Sequence, residues 1–304
     1  GNHCYGGGTD PRTRETFIFY EYPAGGTGAF EGGDGNNTVR TFTESDITTV
    51  QPVEAVEQKY PLRVERLDLR LDSGGAGCWR GGLGLRREVR VLAPQASLSV
   101  LSEKNLLPPY GVSGGMAGAP NHFYVAREGQ DIEPSPLPGK VSGFPLQAGD
   151  IVVMESSGGG GYGDPLERDP ALVVRDVAEG LISREKAETV YGVVLKNGSA
   201  DPEETRQRRE QLLKVRPLVR LRCEEGLPYK GGRRVVRLSP LAAVRLGVKE
   251  GDIVELVSRR GAPLRTWVEV NTREGDDAYL SADGLPMLGA GEGERVEIRL
   301  VRRA

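Results

Sequence analysis

Apolar and polar positions alternate with a period of two through most of the first 160 residues. Residues 16–22, TFIFYEY, are aromatic and β-branched and predict a strand. Residues 62–72, LRVERLDLRLD, place Leu62, Val64, Arg66 or Leu67, Leu69 and Leu71 on one side. This predicts a half-buried antiparallel strand whose arginines face water. LRREVRVLA (85–93), SLSVLSE (97–103), NHFYVAR (121–127) and GDIVVMESS (149–157) repeat the pattern between Gly- and Pro-rich turns. The period then changes. Pro170 opens ALVVRDVAEG, with Asp169 or Asp164 as its cap and Val173, Val174 and Val177 as its apolar face. Ser183 caps a second helix, REKAETVYG. DPEETRQRREQLLKVR (201–216) is acidic at its start and basic at its end, as the helix dipole favours. So polar a helix buries only one stripe, which suits a connection between domains. From residue 217 strands return. Ser239-Pro240 starts a helical turn that ends near Gly247, KEGD (249–252) turns, and IVELVS, AYLSADG and RVEIRLVRR supply further strands. No short-period repeat is evident.

The organisation that follows is a β-rich region over 1–165, a helical segment over 166–214 and a second β region over 215–304. The chain's 304 residues are enough for two cores. Gly accounts for 43 of them, about twice the usual ~7%, which fits a β-rich fold with many tight turns. The fold class is therefore mainly β with a short helical segment. A net charge of −3 gives no basic footprint for nucleic acid. No apolar run approaches ~18 residues and no signal peptide is apparent, so a cytoplasmic protein without membrane contact is expected. The start, GNHCYGGGTDP, has no initiator Met and reads like the interior of a domain, which suggests a fragment, a processed product or a trimmed form.

The run Gly158–Gly161 invites a phosphate-loop reading. That chemistry needs a Lys beside a Ser or Thr after the last glycine. Here Tyr162, Gly163 and Asp164 follow, and no Lys lies between Lys140 and Lys186. A compact turn with positive φ, where the backbone approaches something closely, is the better expectation. His3 and His122 are the only histidines, too few for a catalytic zinc site. Cys4, Cys78 and Cys223 form no CxxC pair, and Cys4 has no base beyond its neighbour, so a thiol nucleophile is not expected. Glu21, Glu31, Asp34 and Asp164 sit in or beside glycine-rich loops, where acid–base work, metal binding and plain turn chemistry all remain open.

FYEYPAGGTGA (19–29), the stretch from Glu54 to Val89, LSVLSEKNLLPPYGVSGG (98–115), AGDIVVMES, GGGGYGDP and RDPALVVRDVAEGLISREKAETVYGVVL follow one another in an order that resembles the hydantoinase B/oxoprolinase family, over roughly residues 5–195. That family includes hydantoinase B-type subunits, part of 5-oxoprolinase and the α-type subunits of acetone and acetophenone carboxylases. The resemblance implies a subunit of an ATP-dependent hydrolase of cyclic amides or, alternatively, of a ketone carboxylase. A non-catalytic scaffold subunit of such a complex is a further alternative. It implies a hydantoinase A-type partner that carries ATP and magnesium, and a hetero-oligomer. It also implies a divalent metal on an N-terminal half absent here, so this chain alone would bind no cofactor and be inactive. The implied site wall comprises Gly158, Gly159, Gly160, Gly161, Tyr162 and Asp164, with Glu21, Gly25 and Gly26 as further candidates. No residue is matched to a catalytic role. One departure stands out: Thr41-Phe42-Thr43-Glu44-Ser45 replaces a pattern such as H-M-T-N-T, with its His and Asn missing. Separately, VVRLSPLAAVRLGVKEGDIVELVSRRG looks like half of a double-psi β-barrel, which implies packing or interface work rather than chemistry.

Overall fold

The computed structural model describes residues 2–39, 50–225, 227 and 233–302. The first region contains β1 (Asn2–Thr9), β2 (Thr16–Glu21), a short helix α1 (Val53–Lys59), β3 (Leu62–Leu69), β4 (Leu85–Val91), β5 (Gln95–Ser102), β6 (His122–Arg127), β7 (Gln130–Ile132), β8 (Lys140–Gln147) and β9 (Ile151–Glu155). They build two antiparallel sheets, in the orders β2-β1-β5-β8 and β3-β4-β9-β6-β7. The alternating positions do what their period dictates. Phe17, Phe19, Leu98 and Val100 from one sheet meet Val89, Val91, Phe123 and Met154 from the other in a shared core.

Two details depart from the sequence reading. β1 is a central strand although it carries Gly6, Gly7 and Gly8; a Cβ on Gly8 would overlap the Gln95 carbonyl of the neighbouring strand. β3 stops at Leu69 rather than 72 and lies at a sheet edge. A bulge between Val64 and Arg66 brings Leu67 and Leu69 opposite Arg87 and Leu85, on the inward side. The edge nevertheless leaves Leu67, Leu69 and Leu71 42%, 37% and 51% exposed, so these leucines are not core residues.

Asp164 accepts from the Leu166 N–H and opens a single 3-10 turn, Pro165–Glu167, while Asp169 caps α2 (Pro170–Ala178). Ser183 caps α3 (Arg184–Thr189). A small hairpin, β10 (Leu195–Lys196) and β11 (Ser199–Ala200), leads to α4 (Pro202–Lys214), capped by Asp201. Val173, Ile182, Ala187, Tyr191 and Val193 pack around Ala76, which fastens the helical segment to the first region. α4 is held through one stripe: Arg209 donates to the carbonyls of Tyr191 and Arg168.

β12 (Leu218–Cys223), β13 (Val235–Leu238), α5 (Pro240–Leu246), β14 (Ile253–Val257), β15 (Leu264–Val270), β16 (Asp277–Leu280), α6 (Gly284–Leu288) and β17 (Arg295–Arg302) complete the chain. The strands close a barrel in the order β12-β16-β13-β15-β14-β17. Two pairs are parallel, β12 with β16 and β13 with β15, and each joins one half of the barrel to the other. This is a double-psi arrangement with internal twofold symmetry. Its sequence trace is a long-period repeat. Ser239, Leu246, Gly247, Glu250, Gly251, Val254 and Glu255 recur as Ser281, Leu288, Gly289, Glu292, Gly293, Val296 and Glu297. Gly247 and Gly289 close the two helices with φ of 63° and 67°, and Gly251 and Gly293 turn with φ of 84° and 82°.

Candidate functional site

Gly158–Gly161 are not a turn. None of the four has a positive φ; the left-handed position is Gly163, at 72°. What requires glycine is packing on every side. A Cβ on Gly158 would overlap the Ser73 carbonyl, on Gly159 that of Thr27, on Gly160 that of Tyr110, and on Gly161 that of Ala76. Main chains come this close because they pair across the missing side chains. Gly159 N–H donates to Gly82 O (2.9 Å), Gly75 N–H to Gly159 O (2.8 Å), Gly161 N–H to Met116 O (2.9 Å) and Ala29 N–H to Gly160 O (2.9 Å). The glycine-rich stretches 24–29, 73–84 and 111–119 thus surround the run in a bundle held by main-chain pairing, with the Arg80, Leu83 and Gly84 N–H groups donating instead to the side chains of Asp34, Asn37 and Ser73.

Beside this bundle opens a cleft of about 400 Å³. Its wall is the Gly25-Gly26-Thr27-Gly28 backbone with Ser157, and the Gly26 N–H donates to Ser157 O at 2.9 Å. Its floor is a pair of buried amides. Asn121 Nδ2 donates to Asn2 Oδ1 (2.8 Å), Asn2 Nδ2 donates to Asn121 Oδ1 (3.2 Å) and to the Pro23 carbonyl (3.2 Å), and the Ser157 N–H donates to Asn121 Oδ1 (2.7 Å). Asn121 Nδ2 also donates to the Glu103 carbonyl. Lys104 lines the rim with a left-handed φ of 59°, and the Asn121 N–H donates to its carbonyl at 3.1 Å. Past Glu103 and Lys104 a second hollow of about 300 Å³ continues toward Leu106 and Leu137.

The site residues expected from sequence are dispersed over this architecture. Gly25 and Gly26 line the cleft, and Gly158–Gly161 form the bundle behind it. Glu21 is buried between the sheets, where its Oε2 lies 3.3 Å from Arg87 Nε. Tyr162 is bridged through its main chain to Trp79 and Val112, with its hydroxyl 3.5 Å from Glu31 Oε2. Asp164 faces the barrel, accepting two hydrogen bonds from Arg216 (2.7 and 2.6 Å) and one from Arg259 (2.9 Å). Burial pushes the Asp164 carboxyl up, but the Arg216 hydrogen bonds and the Leu166 N–H outweigh it and hold the group below the usual carboxylate range. Asp34 belongs to a buried network, gripped by both Arg168 Nη atoms at 2.7 Å, and Arg168 also reaches Asp176 at 2.7 Å. Asn2, Lys104, Asn121 and Ser157 were not singled out from sequence. Nothing in their local pattern distinguishes them, because the cleft assembles from six separate stretches of the chain.

Cys4 is a core residue whose thiol burial, with Glu21 adding, pushes up to about 12, far from a nucleophile's range. His3 Nδ1 pairs with the Tyr20 hydroxyl at 2.7 Å, and His122 Nε2 with Glu133 at 2.5 Å. Among the described residues no group of three His, Cys, Asp or Glu side chains is placed to hold a metal ion. Thr41–Ser45, where the sequence departs from the family pattern, lie outside the described residues. No helix among the described residues is long and apolar enough to cross a membrane.

A family model described as hydantoinase B/oxoprolinase matches residues 1–165. An uncharacterized protein of Methanocaldococcus jannaschii is 40% identical over 197 residues, covering 64% of this chain and 34% of that protein. The caprolactamase subunit beta of Pseudomonas jessenii is 37% identical over 164 residues, covering 52% of this chain and 27% of that subunit. Among solved structures, the ATP-dependent caprolactamase of Pseudomonas jessenii superposes with a TM-score of 0.57 at 29% identity, covering 69% of this chain and 36% of that one. An acetone carboxylase superposes with a TM-score of 0.60 at 22% identity, covering 70% and 33%, a likeness of fold alone. The chain therefore spans about a third of the length of these relatives.

Proposed function

The chain belongs to the hydantoinase B/oxoprolinase family, and on that premise we propose that it forms part of the B-type subunit of an ATP-dependent cyclic-amide hydrolase. The observation that carries this reading is that the cleft is built entirely from residues 2–157, inside the segment that the family model matches. The relative of stated activity with 37% identity acts on a lactam. The chain's own part is shape and position. Its glycine backbone and amide floor form one wall of the substrate pocket, and its barrel and exposed strands serve assembly. A ring amide is a poor electrophile, and ATP on an A-type partner supplies the phosphoryl group that makes its oxygen a better leaving or activating centre. On this reading any divalent metal lies on the remaining part of the B-type subunit rather than on this chain. The ketone-carboxylase alternative rests on a likeness of fold and carries no choice of reaction.

The test is to purify this chain with an A-type subunit and the remaining part of the B-type body, then follow ATP-dependent ring opening of hydantoin, caprolactam and 5-oxoproline. The complex is expected to open at least one ring and the isolated chain none. Ring opening by the chain alone, or a complex that carboxylates ketones and leaves every amide intact, would overturn the reading.

A further inference from the structure

The cleft has a lopsided hydrogen-bond balance. Its acceptors are largely spent. Asn121 Oδ1 takes bonds from Asn2 and Ser157, Asn2 Oδ1 takes one from Asn121, and the Pro23 carbonyl takes one from Asn2. The carboxylate at the rim, Glu103, is bound by Lys140 Nζ at 2.8 Å, and Lys140 further anchors to the Ser102 carbonyl. Its donors are not spent. Among the described residues, the Lys104 ammonium makes no hydrogen bond or close ion pair, and the N–H groups of Gly25 and Gly28 find no acceptor. The Ser157 hydroxyl, which lies against Gly25, likewise has no partner there. The Thr27 hydroxyl accepts from the Asn36 N–H and still has its own proton to give.

Lys104 adds a second observation. It is a non-glycine residue in the left-handed region, a conformation that costs about 1 kcal/mol or more and persists where surroundings enforce it. Those surroundings are the cleft floor itself: Asn121 N–H holds the Lys104 carbonyl, and Asn105 Nδ2 holds the Asn121 carbonyl at 3.2 Å. The network that shapes the floor therefore also fixes where the lysine stem leaves the backbone.

We propose that this cleft is an oxyanion-binding site, in which Lys104, Ser157 and the Gly25 and Gly28 amides receive a carboxylate or phosphoryl group. The chemistry follows from the balance. A neutral ring offers one carbonyl to several donors and no charge to the ammonium, whereas an oxyanion has lone pairs for all of them and forms the stronger charge-assisted bonds. The proposal deepens the cyclic-amide reading and rests on it for its catalytic meaning: the bound substrate or intermediate would carry an anionic group at this end. The binding itself can be read on the chain without any reaction.

The experiment is an NMR titration of the chain with inorganic phosphate, glutarate and neutral δ-valerolactam. Phosphate and glutarate are expected to shift the Gly25 and Gly28 amide resonances, and valerolactam to bind at least about tenfold more weakly, a gap of ~1.4 kcal/mol. The K104M variant should lose about tenfold in anion affinity while melting as the parent does, since the side chain is exposed, and K104R should retain binding. A preference for phosphate identifies the phosphoryl source and a preference for glutarate the carboxylate source. Equal binding of the neutral lactam, unchanged affinity in K104M, or undisturbed Gly25 and Gly28 signals overturns the proposal. A K104M complex that still opens rings at the parental rate and KM sinks it too, and leaves the hydrolase reading standing.

Discussion

At the scale of single residues, glycine and charge do the work that side-chain packing does elsewhere. A methyl group on Gly159 has nowhere to go, because the Thr27 carbonyl, itself bonded to the Gly82 N–H, already fills the space. Gly159→Ala should therefore cost about 3 kcal/mol or more, read as a fall in the urea midpoint, with the cleft collapsing alongside. Gly291→Ala, where a Cβ meets nothing within 4 Å and φ is not left-handed, should leave that midpoint essentially unchanged. The Glu21–Arg87 pair poses the opposite problem. Arg87 is fully buried and its three guanidinium nitrogens make no hydrogen bond among the described residues, so burial, only partly opposed by Glu21, lowers its pKa. Removing one partner strands the other's charge. Arg87→Leu alone should destabilise by about 3–5 kcal/mol, and the E21L/R87L double variant should recover most of that loss; if the double variant is the weaker of the two, the pair is a net stabiliser.

At the scale of elements, the sequence was legible wherever a period met a simple environment. Strands β4 and β5 follow their alternation, whereas β6 and β9 each bury three consecutive residues, Phe123–Val125 and Val152–Met154; the caps at Asp169, Ser183, Asp201 and Ser239 sit where short polar residues precede helical runs. It was misleading where tertiary contacts overrode local chemistry. The start, GNHCYGGGTDP, was assigned no element, yet close pairing on both sides makes β1 a central strand. Four glycines argued for positive φ at 158–161, yet what they supply is room for neighbouring main chains. The barrel's repeat is hidden by its length, a whole half-barrel, and the cleft by the wide separation of the six stretches that line it. The short turn opened by Asp164 is where the helical segment meets the barrel, through Arg216 and Arg259. Its carboxyl is lowered in the fold, so the stabilisation it contributes is present above the ordinary aspartate value of about 3.9 and is lost as pH falls through the lowered value. Asp164→Asn should weaken the junction at neutral pH and flatten that acid limb of the stability curve; an acid limb identical to the parent's would assign it to other carboxylates, such as Asp34.

For the whole molecule, the decisive question is whether two separate cores behave as one body. The sandwich core and the barrel core share no residue. What joins them is polar and local. Besides the Asp164 junction, Arg299 donates to the carbonyls of Gly115 and Gly114 at 2.9 and 3.0 Å. The Ser113 N–H reaches Gly261 O at 2.7 Å, and the Arg265 guanidinium lies 5.8 Å from the centre of the Tyr110 ring. Gly114 and Gly115 belong to the same stretch that packs on Gly161, so the barrel grips the glycine bundle itself rather than a peripheral loop. A barrel held this way should be stabilised by the bundle, whereas the bundle, with its own dense main-chain pairing, should owe the barrel little. D164N/R299A is therefore expected to lower the barrel's melting temperature in calorimetry by about 4–8 °C for each kcal/mol of junction energy removed, and to leave the sandwich transition nearly in place. The reverse pattern, a sandwich that softens while the barrel melts as before, would mean that the barrel braces the cleft. In that case the D164N/R299A change should also weaken anion binding at Lys104, which the present account expects it to spare.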